Sequence, residues 1–217
     1  MKKTFTQAVT YQPGADKLPI RKALLTWFLV CAGFWALAQV PAGDLSSFNT
    51  WRLDRQKTGM LILGGWAVGN MAVGAALTSR QTGSAKYFHQ MNLAWNSVNL
   101  GIAALGYWGA SKSDPAAMDL FQSIQEHHKI QKILLFNAGL DVAYLMGGAY
   151  LIERSKRTEK IPERLKGFGQ SILLQGGFLL VFDIAQYAAL ATGNEKLKPF
   201  LSAIYPTGNG IGWTLTF

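Results

Sequence analysis

A single cysteine, Cys31, occurs in 217 residues, so no disulfide joins two parts of the chain and no cysteine-based metal cluster forms within it. There is no glycine-rich phosphate loop, no Ser/His/Asp set and no H-E-x-x-H or H-x-x-E-H spacing. These absences leave nucleotide hydrolysis, serine-type acyl transfer and zinc proteolysis without a signature, and no cofactor is expected. Glu126, His127 and His128 are adjacent, but neighbours on a helix point about 100° apart, so the trio reads as an exposed polar face rather than a metal site. The most telling scarcity is positional: Lys and Arg are missing from five long runs.

Those runs are Ala23–Val40, Gly59–Thr78, Leu93–Ala110, Ile133–Ile152 and Ser171–Ala191, all rich in Gly, Ala, Leu and aromatics. About 20 apolar residues cross a bilayer as a helix, and lipid obliges each backbone group to be satisfied within the segment. A soluble helical core would show stripes of Lys and Glu along each helix, and none are present. The formal charge of +9 sits between the runs, where it suits lipid headgroups better than nucleic acid. The first run has two readings, a removable signal ending at Ala36-Leu37-Ala38 or a retained helix carrying Trp27 and Trp35, and either exports the segment after it.

Charge sets orientation. The leader, the loop after the second run and the loop after the fourth carry thirteen of the 21 Lys and Arg. The cation-rich side is cytoplasmic, which places the protein in a bacterial inner membrane with its C-terminus outside. The ending "GNGIGWTLTF" alternates as barrel strands do, but one strand makes no barrel, and residues 193–217 read as a short external tail.

The chain also looks duplicated. A slide of 74 residues lays "GWAVGNMAVGAAL" over "GLDVAYLMGGAYL", and a slide of 80 lays Phe88-His89-Gln90 over Phe168-Gly169-Gln170. The predicted architecture is an all-α membrane protein: residues 1–40 as leader and apolar segment, then a four-helix transmembrane bundle over 41–192. Its two hairpins are repeats of about 45–110 and about 116–191. Gly65 with Gly69, and Gly139 with Ala143 and Gly147, offer small-residue spacing for close helix packing. "LSSFNTWRLDRQK" and "DPAAMDLFQSIQEHHKIQ" read as interfacial or helix-extending segments, the second capped by Ser113 or Asp114.

Polar residues inside the runs carry the functional question. Asn92, Asn96 and Asn99 share one helical face, as do Asn137, Asp141 and Tyr144, while Asp183, Gln186 and Tyr187 cluster on another helix near Gln175. At about 1.5 Å per residue, Asp141 and Asp183 both lie roughly 12 Å from the outer ends, and Asn70 and Asn99 roughly 16 Å. The candidate binding layer is therefore Asp141, Asp183, Asn70, Asn99, Asn96, Asn137 and Tyr144. With no Lys or Arg in a span to neutralise them, at least one of the two carboxyls is expected to hold a proton and act as donor. Three roles compete for the layer: hydrogen-bonding struts between helices, a proton, cation or polar-ligand site, and paired acid–base catalysis. Catalysis has the least support, because nothing supplies a nucleophile or electrophilic partner.

The strings "LLFNAGLDVAYLMGGAYLIERS", "GQSILLQGGFLLVFDIAQYAAL" and "MNLAWNSVNLGIAALGY" resemble a family of small bacterial multi-pass inner-membrane proteins with no assigned activity. That resemblance implies a membrane location and no mechanism. The leading expectation is a non-enzymatic module that binds a membrane-protein partner or forms a homo-oligomer. The alternative is a small proton- or ion-linked transporter, or a ligand-binding membrane protein, using the Asp/Asn layer.

Overall fold

The computed structural model describes residues 42–202, 204–207 and 210–213, which belong to one compact unit. The expected first apolar run, with its signal or helix, lies outside the described residues. Four long helices follow in order: α1 (Ala42–Thr78), α2 (Gly83–Lys112), α3 (Leu120–Ser155) and α4 (Pro162–Ala191). A short α5 (Gly193–Ser202) leads to β1 (Ile204–Thr207) and β2 (Gly210–Trp213), an antiparallel pair in register Ile204↔Trp213. The segment expected to be a short external tail thus holds a helix and a small hairpin among its described residues.

The two polar stretches extend the helices that follow them. At 36 residues α3 is about 54 Å long, well beyond a hydrocarbon core of about 30 Å. Its start is capped by Asp119, whose side chain accepts from the Gln122 backbone N–H while the Gln122 side chain accepts from the Asp119 N–H. This capping box corrects the expected cap: Ser113 ends α2, and Asp114 closes a local turn onto Ala116 N. Gly83 opens α2 at φ 59°, a left-handed backbone that favours glycine.

Burial is inverted relative to a soluble bundle. Asn92, Asn96, Asn99, Ser171, Gln175, Asp141 and Asp183 are buried, while Leu61, Val98, Leu105, Phe136, Met146 and Val181 are exposed. In water that arrangement would forfeit the main driving force for folding; in lipid it satisfies polar groups internally and costs nothing outside. Segments Leu45–Thr78, Leu120–Ser155 and Pro162–Phe200 are long and apolar enough to cross a membrane. α2 falls short because its inward stripe is asparagine, although Val98 and Ile102 on its cleft side and Leu105 and Trp108 beyond them are apolar.

The contacts are uneven. α1 packs along α2, α3 along α4, and α2 against α4, whereas α2 and α3 barely meet. Hairpin closeness rests on Gly74 in the first pair and on Gly148 with Gly169 in the second. A side chain at Gly74 would lie 3.1 Å from the His89 carbonyl, and one at Gly148 would lie 2.9 Å from the Gly169 carbonyl. Gly167 sets α4 directly on the α2 backbone at Ser84 and Phe88. The predicted packing set is corrected: Gly65, Gly69, Gly139 and Gly147 have nothing within 4 Å of a built Cβ and point away from the bundle. Asn49 Nδ2 donates to Ser123 Oγ at 2.9 Å where α1 meets α3.

Candidate functional site

Inside the bundle the polar residues separate into two groups. The first is a saturated strut. Trp66 Nε1 donates to Gln175 Oε1 at 2.9 Å, Gln175 Nε2 donates to Asn92 Oδ1 at 2.9 Å, and Ser171 Oγ donates to the same oxygen at 2.6 Å. Asn70 joins it, accepting from Gln175 Nε2 at 3.4 Å and donating to the Trp66 carbonyl at 2.9 Å. These bonds tie α1, α2 and α4 together, and Trp66 stacks flat on Phe178 with ring centroids 3.9 Å apart. The gap between α1 and α4 is thereby filled.

The second group surrounds a cavity of about 590 Å³ between α2 and α3, floored by α4. Asn99 lines it from α2, Asn137, Asp141 and Tyr144 from α3, and Asp183 and Gln186 from α4, within an otherwise apolar wall. The Asp141 and Asp183 carboxyl groups face each other where α3 meets α4, close enough to share a hydrogen bond if one of them carries a proton, since a bare carboxylate only accepts. Both side chains are nearly sealed, at 2% and 5% exposed. Two buried polar atoms on this wall have no protein partner, Asp141 Oδ2 and Asn99 Nδ2. Trp95, a lining residue too, meets Tyr144 edge to face at 4.9 Å between centroids.

Five members of the predicted layer therefore share one cavity: Asp141, Asp183, Asn99, Asn137 and Tyr144. The other two are elsewhere. Asn70 belongs to the strut, and Asn96 turns back to donate to the Asn92 carbonyl of its own helix at 2.8 Å. Depth along a helix axis does not fix azimuth, so depth alone groups Asn70 with the acids although it faces another way. Trp95 and Ser171 are outside the set that spacing singles out; Ser171 lies one turn before Gln175 on the same face, a signal that could have marked it.

A further buried node occupies the end of the bundle where α1 and α3 begin. His127 corrects the reading of an exposed polar face: it is fully buried, its Nε2 lies 2.9 Å from Asn194 Oδ1, and Phe48 meets its ring edge on at 5.3 Å. Arg52 is buried beside it and donates to Met118 Sδ at 3.1 Å. The helical extension beyond the apolar run, which brings α5 over this end, explains the burial. Among the described residues no group of three His, Cys, Asp or Glu side chains could hold a metal ion.

No curated protein and no solved structure matches the chain. One family model does, over residues 62–184, a stretch that holds both aspartates and parts of all four long helices. The chain belongs to that family, DUF6992, a family of unknown function.

Proposed function

We propose that this membrane protein is a non-enzymatic binding module, and that its working site is the cleft between α2 and α3. The observation that carries the reading is the pairing of an open apolar cavity with two buried acids that face each other. The Gln175 strut saturates its bonds; on the cavity wall Asp141 Oδ2 and Asn99 Nδ2 have no protein partner, as is true of five other buried atoms among the described residues. Unpartnered buried polar atoms cost about 1–3 kcal/mol each, so a ligand that reached them would gain that much in interaction.

Internal duplication is part of this reading, and recurring contacts support it. Gly74 faces His89 and Leu93; 74 and 80 residues on, Gly148 faces Gly169 and Leu173. Asn70–Gln175 and Tyr144–Trp95 are likewise equivalent pairs under the same two offsets. By that correspondence Trp66 and Phe178, which plug the α1/α4 gap, map to Leu140 and Val98, which border the open cleft. Asp141 and Asp183 map to Ala67 and Ala103, both buried. The fold thus closes one cleft with aromatics and alanines, and keeps the other open with acids. A purely structural need would apply to both halves alike.

The orientation belongs here as well: a bacterial inner membrane, with the basic loop after α3 cytoplasmic and the C-terminus outside. A second reading, self-association, is favoured by Gly65 and Gly69 on the outer face of α1, where a second helix could approach closely. The ligand reading is tested by photolabelling membranes with an alkyl diazirine. Adducts concentrated on 91–102 and 130–144, and competed by excess unlabelled alkane, are expected. Even labelling of outward residues such as Leu61 and Leu105 would refute a specific site.

A further inference from the structure

The cleft also has a chemical preference. No lysine, arginine or histidine is among its lining residues, while two carboxyls, two asparagines and the rings of Trp95 and Tyr144 are. From Ile130 to Tyr144 its α3 wall runs about 21 Å at the helical rise of about 1.5 Å per residue, and most of that wall is aliphatic. Resting on the binding reading above, we infer that the ligand of this cleft is a hydrophobic amine in its cationic form, with an alkyl body in the groove and its ammonium group on Asp141 and Asp183.

Each part of the lining argues for that class. An anionic head would meet the acid pair with no cation to offset it, and repulsion at low dielectric is severe. A neutral hydrocarbon would leave Asp141 Oδ2 without a donor, whereas an ammonium brings N–H donors only. With one carboxyl ionised and the other neutral, the pair presents one negative charge. A single positive charge neutralises it. Asn99, whose Nδ2 has no partner, can turn its amide oxygen to take another N–H. Trp95 and Tyr144 border the same space, and aromatic faces attract cations most strongly where water is excluded. Along the α3 wall Asp141 lies near the Tyr144 end, so a head bound there leaves about 16 Å of wall toward Ile130 for an alkyl chain.

The test compares three ligands with one chain and different heads. Full-length protein in a neutral-headgroup detergent is titrated at neutral pH with dodecylamine, dodecanol and dodecanoate, with binding read calorimetrically. Dodecylamine is expected to bind about tenfold or more tightly than dodecanol, and dodecanoate the weakest. Combining Asp141→Asn with Asp183→Asn should erase the amine's advantage and leave dodecanol binding in place. If that variant fails to fold, Trp95→Leu carries the same comparison, with severalfold loss for the amine and little for the alcohol. Equal binding of all three ligands, or an amine affinity untouched by these substitutions, overturns the cationic assignment while the binding cleft stands. Absence of saturable binding by any of the three removes the cleft reading itself.

Discussion

Gln175 and Asp183 lie two turns apart on α4, yet their surroundings assign them different work. Gln175 is a strut: its oxygen accepts from Trp66, and its nitrogen donates to Asn92 and Asn70. Gln175→Leu should therefore lower stability by about 1–3 kcal/mol, the cost of orphaning buried partners, as measured by thermal unfolding in detergent. Asp183 faces Asp141 on the cavity wall, and an amide replaces a carboxyl with little change of shape. Asp183→Asn should shift stability by less than about 1 kcal/mol, in line with single interhelical bonds in lipid, while changing what the cleft binds. A loss as large as that of Gln175→Leu would make Asp183 structural. Sequence spacing puts Asn92, Asn96 and Asn99 on one face, and the structure turns all three inward. Spacing does not say that Asn92 is saturated and Asn99 unpartnered, because that depends on which neighbour each azimuth meets.

Among the helices, closeness depends on where a glycine points rather than on how glycines are spaced. Gly148 faces the α4 backbone, whereas Gly147, its neighbour in sequence, has open space around it. Gly148→Leu should push α3 from α4 and cost about 1–3 kcal/mol or more, as overpacking does; Gly147→Leu should unfold at nearly the wild-type temperature. Equal effects would contradict the hairpin packing described. The small-residue pattern in α1 and α3 is visible in the sequence, but the same residues four apart suit either an internal or an external partner. The start of α3 is written in "DLFQ", which holds the capping box, while Ser113 and Asp114, with Pro115 behind them, imitate a cap that the chain does not use. His127→Ala should loosen α5 by removing its contact with Asn194, raising backbone amide exchange over 193–200 and leaving 130–150 unchanged.

At the scale of the molecule, the apolar runs specify the number and order of the long helices, because lipid leaves the backbone few alternatives. They do not specify the imbalance of contacts, in which α2 and α4 pack and α2 and α3 part to form the cleft. Trp66 and Phe178 fill the gap between α1 and α4, whereas Leu140 and Val98 only border the gap between α2 and α3. Orientation has a direct check: with Cys31→Ser as background, Glu159→Cys in the basic loop should resist an impermeant maleimide in intact cells and react once membranes are opened. Reaction in intact cells would invert the topology. The open cleft is central to the proposed function, and filling it is the most direct test. Transplanting the plug with Leu140→Trp and Val98→Phe leaves both aspartates in place, and saturation binding of dodecylamine compares the double variant with the native chain. The account predicts a folded protein whose affinity falls about tenfold or more, the equivalent of about 1.4 kcal/mol; undiminished binding to the plugged protein would contradict it.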